Sequence, residues 1–428
     1  MEVRPLSTGV AAPADRFGNP LADGLPYARG DILRTTADDH AKLERARAIV
    51  EERHRAGRLY NFTGLERSLV PGDADPALFD DELAAAYYGE RLRRLALEHL
   101  GGTPDRDDVL VTNRLTAAIF VAMQTLVQPG STVFGVSPGY SHPAVVRAVR
   151  FAGGRLIETR GADELAVQLA AAHVPALVVL TRLPVTYEPL GSGELDAIVA
   201  AARGRNAVIF ADDAGGARVG PAVLGQPRTL ELGVDAGATG LDKYGTTGPR
   251  LGLLAGRREL VAEMRVRALE LGMEARALLY PAVVHSLARY RPERVRELVA
   301  ATDVVCEAVR ARLGDLVTRT PVAFRLEGED ILGEAMSRRG LSASPIVPVE
   351  ATAALAMLLL RDYGILTVHF AALPPGTAAL LVKFIPPETL ERFGGPDVFA
   401  HAVETSLDEL GRLVADPSRV RELLLGER

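Results

Sequence analysis

From Asp107 to Ala255 short apolar runs alternate with segments of helical period, and this alternation constrains the fold more than any other feature of the chain. Val109–Thr112, Thr132–Val136, Arg155–Glu158, Ala176–Thr181, Ala207–Ala211 and Leu251–Ala255 read as strands. Leu115–Leu126, Pro143–Phe151, Ala162–Ala172 and Leu195–Arg203 read as the helices between them. Strands that read as continuous apolar runs, each followed by a helix, predict βα units and a mostly parallel sheet covered on both faces. In such sheets ligands sit at the carboxyl ends of the strands, so the residues just beyond each strand are the candidates for chemistry.

The flanks have a different character. A Pro/Gly-punctuated arm, Pro5 to Gly30, precedes a helical stretch from Asp38 to Ala56, and a second helix, Asp81–Leu100, ends at Gly101-Gly102. From Arg257 to Arg312 nearly everything reads as helix. Val322–Leu326, Ser344–Val349, Leu366–Phe370 and Leu380–Ile385 then read as strands, with helices at Thr352–Tyr363 and Gly395–Leu413. This predicts a second, smaller α+β unit. The division expected is an arm and helix over 1–60, a large domain over 61–312 and a C-terminal domain over 313–428.

Composition narrows the class. The 428 residues are 48% apolar and 24% charged, with a net charge of −6, which gives no footprint for nucleic acid. One cysteine, Cys306, excludes a disulfide framework and a multi-cysteine zinc site, and it reads as a buried apolar residue of a helix. No apolar run reaches the roughly 18 residues of a membrane span, and the first residues lack a signal-peptide succession. A soluble cytoplasmic protein without metal is the expectation.

Four segments carry the candidate chemistry, three of them at strand ends. Thr239-Gly-Leu-Asp-Lys243-Tyr-Gly-Thr-Thr-Gly-Pro-Arg250 isolates one lysine among glycines and hydroxyls. It is open to two readings, a solvated loop lysine or a Schiff-base lysine whose neighbours allow an aldehyde to approach, with Arg250 as a fork for a phosphate. Asp212 and Asp213 follow the strand Ala207–Ala211, where they can bind a metal, hold a protonated ring nitrogen or cap a turn. Thr112-Asn-Arg114-Leu115-Thr116 joins a strand end to a helix start, which suits either an ordinary cap or an anion. His142, in Ser137-Pro-Gly-Tyr-Ser-His142, is either structural or an imidazole that stacks on a flat ligand.

Taken in chain order, these segments resemble the fold type I pyridoxal-phosphate enzymes, the aspartate aminotransferase superfamily, over about residues 60 to 410. The resemblance implies a seven-stranded, mostly parallel sheet sandwiched by helices, a smaller α+β C-terminal domain and bound pyridoxal 5'-phosphate. It implies that Lys243 forms the Schiff base, that Asp212 partners the pyridine nitrogen and that His142 stacks on the ring. Arg250, Arg114, Leu115 and Thr116 would hold the phosphate, with Arg114 standing where the family usually has Gly. Phe210-Ala-Asp-Asp-Ala-Gly-Gly216 looks like the Asp-Asp-Ala-His segment of the α-oxoamine synthases, with Gly215 in place of their His. Asp242-Lys243 and Gly248-Pro249 are similar to selenocysteine synthase and related ammonia-lyases.

Two departures bear on the reaction. The strand arginine that grips substrate carboxylate in aminotransferases is here Lys383, and the Asn-Pro segment is replaced by Thr181-Arg-Leu-Pro-Val-Thr-Tyr187. Thr186, Tyr187 or Arg182 is then left to meet the cofactor phenol oxygen, and Lys383 and Tyr187 to meet the substrate. These departures point to a lyase that carries an amino-acid-type substrate through an α-carbanion to β-elimination or replacement. A class I/II-like aminotransferase is the alternative, and a non-catalytic pyridoxal-phosphate-binding regulator is a weaker third. The family's habit implies a homodimer, with Tyr87 and Tyr88 either in helix packing or reaching a neighbour's site.

Overall fold

A computed structural model describes residues 13–67, 75–171 and 177–426. Residues 5–12 of the expected arm, and Ala172 and Ala176 at the ends of an expected helix and strand, lie outside them. Among the described residues the twelve strands are β1 (Tyr60–Asn61), β2 (Asp107–Thr112), β3 (Thr132–Val136), β4 (Arg155–Thr159), β5 (Leu177–Leu180), β6 (Val208–Asp212), β7 (Ala236–Gly240), β8 (Gly252–Arg257), β9 (Thr318–Arg319), β10 (Ala323–Glu327), β11 (Ile365–Leu366) and β12 (Ala379–Lys383).

Seven of them form one sheet in the order β2-β8-β7-β6-β5-β3-β4. Only β8 runs against its neighbours. The period of two along each strand splits the apolar side chains between two cores. Phe134, Val178, Leu180, Ile209, Ala211, Leu253 and Ala255 enter one, and Val133, Leu177, Val179, Phe210 and Leu254 enter the other. Helices close both faces, among them Leu115–Leu126, Pro143–Phe151 and Ser192–Arg203. The seven-stranded α/β sandwich implied by the sequence is therefore present.

The central strand β7 has no strand-like composition, and no strand is expected there from the sequence. Its residues Ala-Gly-Ala-Thr-Gly are all buried. A Cβ at Gly237 would lie 2.6 Å from Thr229 Cγ2, and one at Gly256 on β8 would lie 2.5 Å from Ala236 Cβ. Close packing, not β propensity, selects these residues. The helix Gly216–Val223, directly after the Asp212 loop, is likewise invisible in a glycine-rich stretch with Pro221 inside it.

The C-terminal part carries an antiparallel sheet in the order β12-β10-β9 and the two-residue parallel pair β1-β11. Two expected strands are corrected here. Ser344–Val349 forms no strand: the helix Pro348–Tyr363 begins within it, and Val347 N–H donates to Glu350 instead of to a ladder. Leu366–Phe370 keeps strand geometry only at Leu366, because Val368–Ala371 winds into a 3-10 turn. The expected helical run 257–312 is three helices, Arg258–Leu271, Tyr280–Ala288 and Pro292–Leu313, and Cys306 is buried in the last. No helix among the described residues is long and apolar enough to cross a membrane.

The arm is fastened by one buried carboxylate. Glu350 accepts from Ile32 N at 2.7 Å, Leu33 N at 2.9 Å and Val347 N at 3.2 Å. A Cβ at Gly30 would overlap that carboxylate. Removing the acceptor strands three buried N–H groups at about 1–3 kcal/mol each. Glu350→Ala is expected to lower unfolding stability by about 3 kcal/mol or more in denaturant titration, with Glu350→Gln losing less.

Candidate active site

Five parallel strands of the main sheet, β2, β3, β5, β6 and β7, deliver residues from one edge to one cavity. β2 delivers Arg114, Leu115 and Thr116; β3 delivers His142; β5 delivers Thr181 and Tyr187; β6 delivers Asp212; β7 delivers Lys243. Arg250 precedes antiparallel β8, and Lys383 closes β12 from the C-terminal sheet. Lys243, Asp212, His142, Arg250, Arg114, Leu115, Thr116, Lys383 and Tyr187 all line this cavity, whereas Asp213, Arg182 and Thr186 do not. No group of three or more potential metal ligands occurs among the described residues.

The two adjacent aspartates separate into two fates. Asp213 is paired with Arg182, whose Nε and Nη2 donate to its two oxygens at 2.9 and 2.6 Å, and Thr229 Oγ1 adds a bond at 2.7 Å. Asp212 alternates to the cavity side, and its buried Oδ1 has no hydrogen-bond partner among the described residues. Burial, then the Asp213 charge, pushes Asp212 up to about 7, with Lys243 opposing. The pairing also disposes of Arg182 as a cavity residue: its guanidinium spans Asp213 and the Pro227 carbonyl.

Lys243 opens a tight turn in which Thr246 N and Oγ1 both donate to its carbonyl, with Tyr244 at φ 28° and Gly245 at φ 85°. A Cβ at Gly240 would press on Lys243 Cγ and Cε at 3.0 Å, so glycine leaves the lysine stem its path. The Lys243 Nζ has no hydrogen bond among the described residues. Burial lowers its proton affinity, Asp242 opposes, and Arg250, Arg67 and Arg218 lower it further. Asp242 is itself held by Arg67 Nε at 2.9 Å.

His142 caps the helix Pro143–Phe151, its Nδ1 accepting from Ala144 N at 3.0 Å. That bond assigns the ring hydrogen to Nε2. Burial, Lys243 and Arg147 bring its pKa down to about 4, so the imidazole is uncharged near neutrality. A Cβ at Gly376 would lie 3.3 Å from Nε2, so the Pro-Pro-Gly turn approaches the ring closely.

Arg114 is the N-cap of the helix Leu115–Leu126, and Thr112 Oγ1 donates to its carbonyl at 2.9 Å. The first N–H groups of a helix have no intrahelical acceptor, so those of Leu115 and Thr116 remain available to an anion. Arg250 donates to the Ala371 carbonyl. Burial, then Arg114 and Arg67, lowers Arg250 to about 10, with Asp242 opposing. Two guanidiniums and a helix N-terminus thus share one end of the cavity.

Lys383 is 2% exposed. Its Nζ donates to the Thr63 carbonyl at 3.1 Å and sits 4.7 Å from the ring centre of Tyr244 and 5.4 Å from that of Tyr187. Burial, then the charge on Lys243, holds its ammonium well below the usual lysine range, with Asp242 opposing. Tyr187 OH is hydrogen-bonded to Tyr244 OH. Thr186 does not line the cavity; its carbonyl accepts from Arg325. Of Tyr187, Thr186 and Arg182, only Tyr187 faces the cavity. Tyr87 is largely exposed and Tyr88 packs partly against one core of the sheet.

Two lining residues escaped sequence reasoning. Thr181, at the end of β5, has a buried Oγ1 without a partner among the described residues, and its strand-end position was the available signal. His369 lay in a stretch that reads as a strand and carried no signal.

No protein-family model matches the chain. A protein of Methanothermobacter thermautotrophicus named "UPF0425 pyridoxal phosphate-dependent protein" is 28% identical over 405 residues, 92% of this chain and all of the relative. The pyridoxamine-pyruvate aminotransferase of Mesorhizobium loti superposes with a TM-score of 0.57 at 14% identity, covering 86% of this chain and 96% of that one. Sphingomonas wittichii serine palmitoyltransferase gives 0.56 at 15%, covering 81% and 87%. The fold is that of the fold type I enzymes, as the resemblance implied.

Asp212 also has a measurable signature in the protein without ligand. Its folded pKa lies above the unfolded value of 3.8, so the folded state holds the extra proton between about pH 4 and 7, and stability falls as pH rises through that window. Asp212→Asn, which imitates the protonated side chain, is expected to be more stable than the parent at pH 8 by up to a few kcal/mol and equal to it near pH 4. Urea titrations at both pH values measure the difference.

Proposed function

We propose that this chain is a pyridoxal-5'-phosphate enzyme that takes the α-proton from an amino-acid-type substrate and carries out a β-elimination or β-replacement. One observation carries the reading: a single cavity presents the Lys243 amine together with the buried, unpartnered Oδ1 of Asp212. An amine suits an aldehyde, and an orphaned carboxylate oxygen suits a protonated ring nitrogen. The name of the archaeal relative supports the same cofactor.

Bound there, pyridoxal phosphate would supply an aldehyde carbon and a ring that draws electrons from the substrate's α-carbon. Asp212 would hold the ring nitrogen, and the neutral imidazole of His142 would offer a flat face without adding charge. Arg250, Arg114 and the N–H groups of Leu115 and Thr116 would hold the phosphate. Lys243, its proton affinity lowered by burial, would serve as the base at the substrate's α-carbon. Tyr187 borders the substrate space.

Elimination is preferred to amino transfer because Lys383 cannot replace a guanidinium fork. Its ammonium is a point donor already bonded to Thr63 and set against aromatic rings. An aminotransferase is the second reading, favoured by Lys383 lining the same cavity. A non-catalytic pyridoxal-phosphate-binding regulator is a weaker third reading. The proposed division is a large domain over 61–312 and a smaller one over 313–428. Two cores belong to the sheet of the former. The core of the latter also takes Val305, Cys306 and Val309 of the helix Pro292–Leu313, and Ile32, Leu33, Ala46 and Ile49 from the expected arm and helix. A cytoplasmic homodimer completes the proposal.

Purified protein incubated with the cofactor should show a visible band that is absent in Lys243→Ala. No band in the parent protein would sink the cofactor reading. With candidate amino acids, catalytic release of ammonia and keto acid without an amino acceptor is the outcome expected. Stoichiometric conversion of the cofactor to its amine form would favour the aminotransferase.

A further inference from the structure

The cavity wall formed by the 3-10 turn Val368–Ala371 has no part in the chemistry above. His369 lies in that turn, 6% exposed, and lines the cavity. Its Nε2 is 3.4 Å from Nζ of Lys42, a fully buried lysine of the helix Thr36–Arg55. Lys42 Nζ donates to Asp39 Oδ1 at 3.2 Å, and Arg29 Nη2 donates to Asp39 Oδ2 at 2.8 Å.

This chain of buried polar groups runs from the arm to the cavity and ends on an imidazole. Lys42 and Arg29 carry formal charges of +1 each and Asp39 carries −1, which leaves +1 behind the ring. An ammonium beside Nε2 is a donor, so Nε2 accepts and the ring hydrogen is on Nδ1. Nδ1 has no hydrogen-bond partner among the described residues. Burial and the Lys42 charge keep the imidazole from protonating, so the ring is uncharged near neutrality. The result is an oriented N–H donor on the cavity wall, with an excess positive charge directly behind it.

Such a group recognises an anionic oxygen acceptor. Arg250 and Arg114 are grouped with the helix N-terminus at one end of the cavity, and Lys383 is bonded to Thr63. We propose that His369, oriented by Lys42, anchors a carboxylate of the amine substrate, replacing the strand arginine that this chain lacks. The substrate class is then a carboxylate-bearing amine. This inference rests on the cofactor reading above.

Two amino-oxy probes separate the possibilities on the cofactor-loaded protein. Aminooxyacetate and O-methylhydroxylamine each replace Lys243 on the cofactor's aldehyde carbon: a C=N bond to the probe forms, the bond to the lysine breaks, and the lysine leaves as an amine. They differ by one carboxylate. Decay of the visible band gives each rate. The parent protein is expected to react at least about tenfold faster with aminooxyacetate, a difference of about 1.4 kcal/mol. His369→Phe should bring the two rates within about twofold without changing the O-methylhydroxylamine rate. His369→Asn, which keeps an N–H near the Nδ1 position, should restore much of the preference. Lys42→Met should lower it by a smaller factor. Survival of the preference in His369→Phe, or its loss only in Lys383→Met, would overturn the proposal. Equal slowing of both probes with cofactor release would also overturn it, by placing His369 at the phosphate. A parent protein without any visible band would instead refute the cofactor reading, so the two failures are distinct.

Discussion

The pairing of Arg182 with Asp213 is the interaction on which the centre depends. Two adjacent aspartates at the end of a buried strand cannot both stay ionised in a dry interior without compensation. Arg182 compensates one of them fully, through both guanidinium bonds, and Thr229 completes its shell. The glycines of the following helix make room for this pair: a Cβ at Gly216 would overlap an Asp213 oxygen, and one at Gly220 would lie 2.6 Å from Arg182 Nη1. With Asp213 satisfied behind the sheet, strand alternation presents Asp212 to the cavity with an oxygen unspent. Arg182, a candidate cofactor contact in the sequence, is therefore the brace that leaves the other carboxylate free.

The same economy explains how much of the site is legible in the sequence. Lys243, Asp212, His142, Arg250 and the Arg114–Thr116 segment announce themselves because each follows a strand with an apolar signature or belongs to a glycine-rich turn. Their convergence follows from topology, since β2, β3, β5, β6 and β7 all end at one edge. Arg182 could not be placed, because a strand-end arginine points to either side depending on a partner thirty-one residues away. His369 was hidden for a different reason. Thr367-Val-His-Phe alternates like a strand, and only the 3-10 turn, with Lys42 brought from the N-terminal helix, turns the ring toward the cavity.

The fold was legible where packing and propensity agree and illegible where packing prevails alone. β3, β5 and β6 are rich in Val, Ile, Leu and Phe and lie in the positions expected for them. β7 is built of alanine, glycine and threonine because neighbours crowd it on both sides, and no propensity argument finds it. Yet β7 is the strand that delivers Lys243. The segment Ser344–Val349 shows the converse: its apolar residues suggest a strand, but Pro348 starts a helix and Glu350 collects the free N–H groups.

Lys383 shows why the carboxylate anchor we propose lies on another wall of the cavity. Among the described residues four non-glycine positions have positive φ, and three of them, Tyr187 at 60°, Tyr244 at 28° and Phe384 at 48°, surround its amine. Left-handed aromatic residues cost on the order of 1–3 kcal/mol each, so the surroundings must over-determine them. Tyr244 and Phe384 stack at 3.7 Å, and the hydroxyls of Tyr187 and Tyr244 are bonded, which locks the three rings as one unit. Gly64 closes the remaining side, where a Cβ would lie 2.7 Å from the Lys383 carbonyl and 3.4 Å from its Nζ. This enclosure fits a compact amine and leaves no planar slot in which a guanidinium could lie against a carboxylate. An amine so enclosed shapes the floor of the cavity, and an anion entering it must find its donor on another wall.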